Sequence, residues 1–172
     1  MQTTLFLMLG YPGAGKTTTA QAISRIMGAT HLWADHIRRH IFGNPTYNHQ
    51  ENLSLYKQMN RNAEDLLSSG NSVIFDTNFS YYKDRQMLQK LAAKHSARTV
   101  IVWVQVTKEV ARMRATKDAH LQDTRVLGNM SENDFERLSS HLELPHGDEV
   151  VIDIDGTKVT DEYVRNRLNV LS

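Results

Sequence analysis

The sequence predicts an α/β fold, a three-layer sandwich around a five-stranded, mainly parallel sheet. Two observations lead there. Five short apolar runs, near residues 3–9, 30–34, 72–76, 98–106 and 150–154, have the length and continuity of buried strands. Segments of helical period separate them, and strands alternating with helices build a layered parallel sheet.

Taken in order, Thr3-Thr4-Leu5-Phe6-Leu7-Met8-Leu9 is an apolar run ending at Gly10, as in a strand covered on both faces. Residues 16–27 place Ala20, Ile23 and Ile26/Met27 on one helical stripe, with Gly28 as the stop. Thr30-His31-Leu32-Trp33-Ala34 is the second strand, followed by a short helix from Asp35 to about Phe42, closed by Gly43-Asn44-Pro45. Residues 49–67 carry Leu53, Tyr56, Met59, Ala63 and Leu66/Leu67 at three- and four-residue spacing, a longer helix. Ser72-Val73-Ile74-Phe75-Asp76 is the third strand, and 82–95 a helix carrying Leu88, Leu91 and Ala92. Val100-Ile101-Val102-Trp103-Val104 centres the fourth strand, and Thr107 N-caps a helix to about Ala115. Residues 116–130 are polar and read as a mobile loop. Ser131-Glu132-Asn133-Asp134 resembles a capping box that opens a helix to about Leu142. Val150-Val151-Ile152-Asp153-Ile154 is the fifth strand, Asp155-Gly156 a tight turn, and 160–169 the last helix. Met59, Met87 and Met113 fall on apolar helix faces and are assigned to the core.

Composition narrows the class. With 172 residues, 40% hydrophobic and 23% charged, the chain is expected to be one soluble domain, 1–172. Twenty Lys and Arg against nineteen Asp and Glu leave a net charge of +1, which argues against coating long nucleic acid by bulk electrostatics. Without cysteine there is no disulfide framework, zinc ribbon or thiol nucleophile. The apolar stretch at 5–9 is too short for a signal peptide or a membrane span, so a cytoplasmic location without a membrane partner is expected.

The chemistry starts at Gly10-Tyr11-Pro12-Gly13-Ala14-Gly15-Lys16-Thr17, which fits G-x-x-x-x-G-K-[ST] at every fixed position. Glycines let the backbone curl so that successive N–H groups point at phosphate oxygens, and the helix opening near Gly15 adds its positive end. Lys16 places a charge on the β- and γ-phosphates, and the Thr17 hydroxyl is a magnesium ligand. Gly10, Gly13, Ala14, Gly15, Lys16, Thr17 and Thr18 are the nucleotide-binding set. The guanine-reading N-K-x-D of GTPases does not occur, and D-x-x-G appears only as Asp153-Ile154-Asp155-Gly156, at the wrong end of the sheet. Remodelling ATPases need a further helical module. A kinase needs only a small sheet and a lid, so the cofactors expected are ATP and Mg2+.

Two carboxylates stand at strand tips, where ligands bind in open α/β sheets. Asp35, after the second strand, can accept the proton of an attacking hydroxyl, and it can equally cap the 35–42 helix. Arg38, one turn on, can orient an anionic acceptor. Asp76, after three apolar residues, stands where Walker-B-like acids hold magnesium; an ordinary Asx-turn with Asn78 is the alternative.

In Gly10 to Thr17, Asp35-His36-Ile37-Arg38, Val73-Ile74-Phe75-Asp76-Thr77-Asn78 with Arg85, and Glu109 to Arg114, the chain resembles small P-loop kinases of the nucleoside-monophosphate-kinase fold. It is similar to predicted kinases related to the 5′-hydroxyl polynucleotide kinase domain and to the zeta-toxin kinases. The resemblance implies γ-phosphoryl transfer to an acceptor hydroxyl, on a small molecule or a nucleic-acid end. It also implies an acceptor site lined by Asp35, Arg38, Asn78 and Arg85, and a nucleotide contact from Arg114. Arg112, on another helix face, is read as solvated. Arg125, in a lid at about 116–130, can swing in to neutralise the transferring phosphoryl group. A third reading is a nucleotide-binding ATPase module that acts on a protein partner.

Fainter signals stay open. His36 and His40 are spaced i,i+4, but Arg38 and Arg39 beside them repel a cation, so they read as surface or pocket residues. Trp33, Tyr47, Tyr56, Tyr81 and Tyr82 can stack on a base or serve packing.

Overall fold

A computed structural model describes residues 2–79, 81–121 and 128–171. The elements run β1 (Thr4–Leu9), α1 (Lys16–Met27), β2 (Thr30–Trp33), α2 (Ala34–Phe42), α3 (His49–Ser68), β3 (Val73–Asp76), α4 (Tyr82–Lys94), β4 (Arg98–Gln105), α5 (Lys108–Thr116), α6 (Glu132–Ser140), β5 (Val151–Asp155) and α7 (Asp161–Leu168). Short 3-10 turns at Ala119–Leu121 and Asn169–Leu171 complete the described chain. The sheet order is β2-β3-β1-β4-β5 and every pairing is parallel, so the sheet is more regular than the mainly parallel one expected.

Alternation along β1 divides the core. Leu5, Leu7 and Leu9 face α3 and α4, where they meet Leu55, Met59, Ala63, Leu88 and Ala92. Phe6 and Met8 face the other way and pack with Ala20, Ile23, Val164 and Leu168 of α1 and α7. Helices thus cover both faces, as a parallel sheet demands.

Helix ends are set by local chemistry. Asn48, Thr107, Ser131 and Thr160 each accept a backbone N–H from the third residue on, the Thr107 and Ser131 caps as expected. The α6 helix stops at Ser140, two residues short of expectation.

Four apolar assignments are corrected. The buried stripe of α3 is Leu55, Met59, Ala63 and Leu67, strictly four apart, which turns Leu53 (52% exposed) and Tyr56 off the core. Met87 and Met113 are exposed, leaving Met59 as the core methionine of the three. No helix among the described residues is long and apolar enough to cross a membrane.

Candidate active site

Between β1 and α1 the chain curls through the glycine-rich loop. At Gly13 φ is +82°, and an added Cβ would lie 2.3 Å from the Ala111 carbonyl oxygen of α5, so a side chain is barred on two counts. Lys16 opens α1 and is buried, its Nζ donating to the Gly10 and Tyr11 carbonyls at 3.0 Å each. The ammonium is therefore held inside the loop. No acidic residue occupies the first turn of α1, which leaves the positive end of that helix uncompensated by its own side chains.

A cavity of about 610 Å³ opens at the carboxyl ends of the strands. Gly13, Gly15, Lys16 and Thr17 line one part of it, Asp35 and Arg38 of α2 another, and Asp76 with Thr77 and Asn78 the floor after β3. The fold thus brings both predicted carboxylates into one chamber with the loop. Trp33 is the N-cap residue of α2, so Asp35 sits inside the first turn rather than capping it. Ala14 is buried in the loop frame, Gly10 borders a small neighbouring hollow, and Thr18 is exposed outside the cavity lining.

Arg38 is 5% exposed. Its Nη2 donates to Asn52 Oδ1 at 2.6 Å, Nη1 stands 3.6 Å from Glu51, and the guanidinium lies 4.7 Å from the Tyr47 ring centre. Nε and Nη1 are nevertheless buried without a hydrogen-bond partner among the described residues, a state that costs about 1–3 kcal/mol per group and calls for an explanation. Tyr47 itself holds φ at +58°, unusual for a bulky residue. Its hydroxyl is pushed above the ordinary tyrosine range, first by burial and then by the charge of Asp35. Glu51 secures this corner by accepting from the Thr46 and Tyr47 amides and the Thr46 hydroxyl. Although burial works to raise it, those bonds and the Arg38 charge bring the Glu51 carboxyl below its ordinary value.

Arg85 is the principal correction. It was expected at the acceptor site, yet it is fully buried away from the cavity lining. Its Nε and Nη2 grip Glu149 at 2.7 and 2.9 Å, and Nη1 and Nη2 donate to the Glu143 and Leu144 carbonyls at 3.1 Å each. The pair straps the segment between α6 and β5 onto the start of α4. Tyr82 strengthens the strap by stacking on His146 at 3.8 Å and donating to Asp148.

Arg114, expected as a nucleotide contact, donates to the Gly156 carbonyl at 3.0 Å, and that carbonyl lies beside Gly15 of the phosphate loop. Arg112 pairs with Glu136 at 3.4 Å. Arg125 and the rest of 122–127 lie outside the described residues, as does the centre of the expected lid.

Sequence reasoning missed Arg137 and His141 of the α6 end, Asn52 and Asn60 of α3, and Asp84 of α4, all lining the cavity. Their signal was weak because each sits on an otherwise ordinary polar helix face. It also missed His31, whose Nε2 lies 3.0 Å from Asp76 Oδ2. Among the described residues no group of three or more His, Asp or Glu forms a metal cluster, His36 and His40 included. Thr17 and Asp76, both lining this cavity, do match magnesium, which is usually held by one or two protein oxygens plus substrate phosphates.

The chain matches the family described as an AAA domain over residues 5–145. An uncharacterized protein of Mycobacterium tuberculosis H37Rv is 32% identical over 133 residues, covering 67% of this chain and 27% of that protein. The chain therefore spans about a quarter of the length of the curated relatives it matches. A protein of Chloroflexus aurantiacus assigned to the kinases superimposes with a TM-score of 0.77 at 18% identity, over 99% of this chain and 98% of that one. A gluconokinase of Sinorhizobium meliloti gives 0.64 at 20%, over 99% and 91%. APS kinase of Mycobacterium tuberculosis in complex with AMPPNP and APS gives 0.67 at 15%, over 99% and 98%. With the five-stranded all-parallel sheet, these likenesses show the P-loop kinase fold.

Proposed function

This chain belongs to the AAA domain family, and we propose that it is an ATP- and magnesium-dependent kinase that transfers the γ-phosphoryl group to a hydroxyl of a small-molecule acceptor. One observation carries the reading: Lys16, Thr17, Asp35 and Asp76 line a single cavity at the carboxyl end of the sheet. The gluconokinase and the APS kinase are named for small acceptors, which supports the same class here. A cavity of about 610 Å³ also falls within the usual range for small-molecule sites.

In this reading the loop amides and Lys16 hold the triphosphate. Thr17 and Asp76 hold magnesium, which supplies charge neutralisation at the phosphates. Asp35 takes the proton of the acceptor hydroxyl as its oxygen bonds to the γ-phosphorus and the bond to the departing β-phosphate oxygen breaks, leaving ADP. Arg38 and Asn78 orient the acceptor. Arg114, held on the Gly156 carbonyl, serves the nucleotide side of the site. Residues 1–172 work as one kinase domain.

The test is a screen of sugars, nucleosides, antibiotics and oligonucleotide 5′ ends with γ-labelled ATP, run beside Asp35→Asn. Label should pass to a small acceptor, and Asp35→Asn should bind ATP normally while transfer falls about 10²–10⁴-fold. Full transfer by Asp35→Asn contradicts the base assignment. Transfer only to oligonucleotide ends, with steep salt dependence, replaces the acceptor class. ATP turnover indifferent to every acceptor and responsive to a protein removes the kinase reading.

A further inference from the structure

We propose that His31 is a positioning residue that fixes the Asp76 carboxylate for a divalent cation. The proposal rests on the kinase reading, in which Asp76 holds magnesium.

β2 forms the edge of the sheet and pairs with β3 so that Trp33 lies opposite Asp76 and His31 opposite Ile74. His31 is therefore a diagonal neighbour of Asp76, a separation that a long or aromatic side chain can bridge. The imidazole does bridge it, with Nε2 3.0 Å from Oδ2 and the two side chains 13% and 3% exposed. An ionised carboxylate only accepts, so His31 donates from Nε2. The ring is held in turn by Trp33, which shares its strand face and stacks on it at 5.9 Å and 5°. Trp33 stacks further on His36 at 5.6 Å and 22°. This ladder leaves the imidazole little freedom to rotate away from the aspartate.

The consequence falls on the carboxylate. The terminal torsion of Asp is broad, so an aspartate at a strand tip does not choose one orientation by itself. The His31 bond selects one. It engages Oδ2 and leaves Oδ1 without a protein hydrogen bond among the described residues, on a side chain that lines the cavity with Thr17. Outer-shell hydrogen bonds of this kind orient ligating carboxylates, and losing one typically costs 10–100-fold in metal affinity. His31 touches neither nucleotide nor acceptor in this scheme, so its effect should appear in metal affinity alone.

The experiment uses Mn2+ as probe. Its affinity for the full chain saturated with AMPPNP is measured by electron paramagnetic resonance, and AMPPNP affinity is measured separately in EDTA. His31→Phe keeps a ring to stack on Trp33 and removes the donor; it should weaken Mn2+ about 10–100-fold. His31→Gln keeps an N–H donor and should stay within about threefold of the parent. AMPPNP affinity in EDTA should be unchanged in both, which a merely structural role would not produce. Should His31→Phe fail to fold, His31→Leu makes the same comparison. If Asp76→Asn weakens Mn2+ while the His31 variants lacking a donor do not, the proposal is overturned and the kinase reading stands. If Asp76→Asn itself leaves Mn2+ affinity intact, the metal assignment fails and the role of His31 fails with it.

Discussion

Arg38 and Arg85 look alike in the sequence and end in opposite circumstances. Both stand on helices near strand tips, both are buried, and both are expected on the same acceptor wall. Around Arg85 every nitrogen of the guanidinium is engaged, by the two oxygens of Glu149 and two backbone carbonyls. Around Arg38 the described residues supply Asn52, a Glu51 oxygen at 3.6 Å and the Tyr47 ring, and leave Nε and Nη1 unbonded. The first arginine is consumed in closing the fold. The second keeps binding capacity inside the cavity that holds Lys16 and Asp35. Burial of a cation therefore says little about function, whereas the state of its hydrogen bonds says a great deal.

Breaking each arginine sharpens the contrast. The largest stability effect belongs to Arg85→Ala, which strands Glu149 as a buried unpaired carboxylate and should cost about 3–5 kcal/mol in chemical denaturation. Replacing both partners, Arg85→Met with Glu149→Leu, should recover most of that loss, because a desolvated pair contributes little net energy. An equal loss in the double variant would show that the strap depends on more than charge balance. Next comes Arg38→Ala. Its stability should fall by about 1–3 kcal/mol at most, while transfer to the acceptor found in the screen falls by at least about tenfold with nucleotide affinity intact. If Arg38→Ala unfolds the protein as Arg85→Ala does and leaves transfer unchanged, the two arginines play the same part and the distinction is lost.

The smallest effect belongs to a half-buried carboxylate. The carboxyl of Asp155, the last residue of β5, is held down to about 2 by the Thr157 hydroxyl and amide and then by Lys158. A depressed carboxyl stabilises the fold above its unfolded value and loses that contribution as pH falls. Asp155→Asn should therefore match the parent near pH 2 and differ from it slightly above pH 4, as read by circular dichroism. A difference that grows as the pH drops below 4 would reverse the sign.

Much of the architecture was legible because its causes are local. The run at residues 4–9, the Gly28 stop and the Thr107 and Ser131 caps each depend on a few adjacent residues. The phosphate loop was equally plain, since its spacing is dictated by phosphate geometry. The Arg85–Glu149 strap was hidden because its partners are 64 residues apart and nothing in either neighbourhood names the other. His31 and Asp76 meet only through the register of β2 on β3. Leu53 and Tyr56 were misplaced for a different reason: α3 offers two overlapping apolar stripes, and only packing against β1 and α4 selects the one through Leu55. The left-handed backbone of Tyr47 could not be read, since it depends on the Glu51 carboxylate gripping the turn.

The central claim is that one chamber holds the phosphate loop on one side and the acceptor carboxylate on the other. A crystal structure with AMPPNP and magnesium tests it most directly. The account predicts phosphate oxygens on the loop amides and Lys16, with the terminal phosphate facing Asp35 and the Arg38 side of the cavity. Nucleotide bound outside the Gly10 to Thr17 loop, or a terminal phosphate turned away from Asp35, would contradict it.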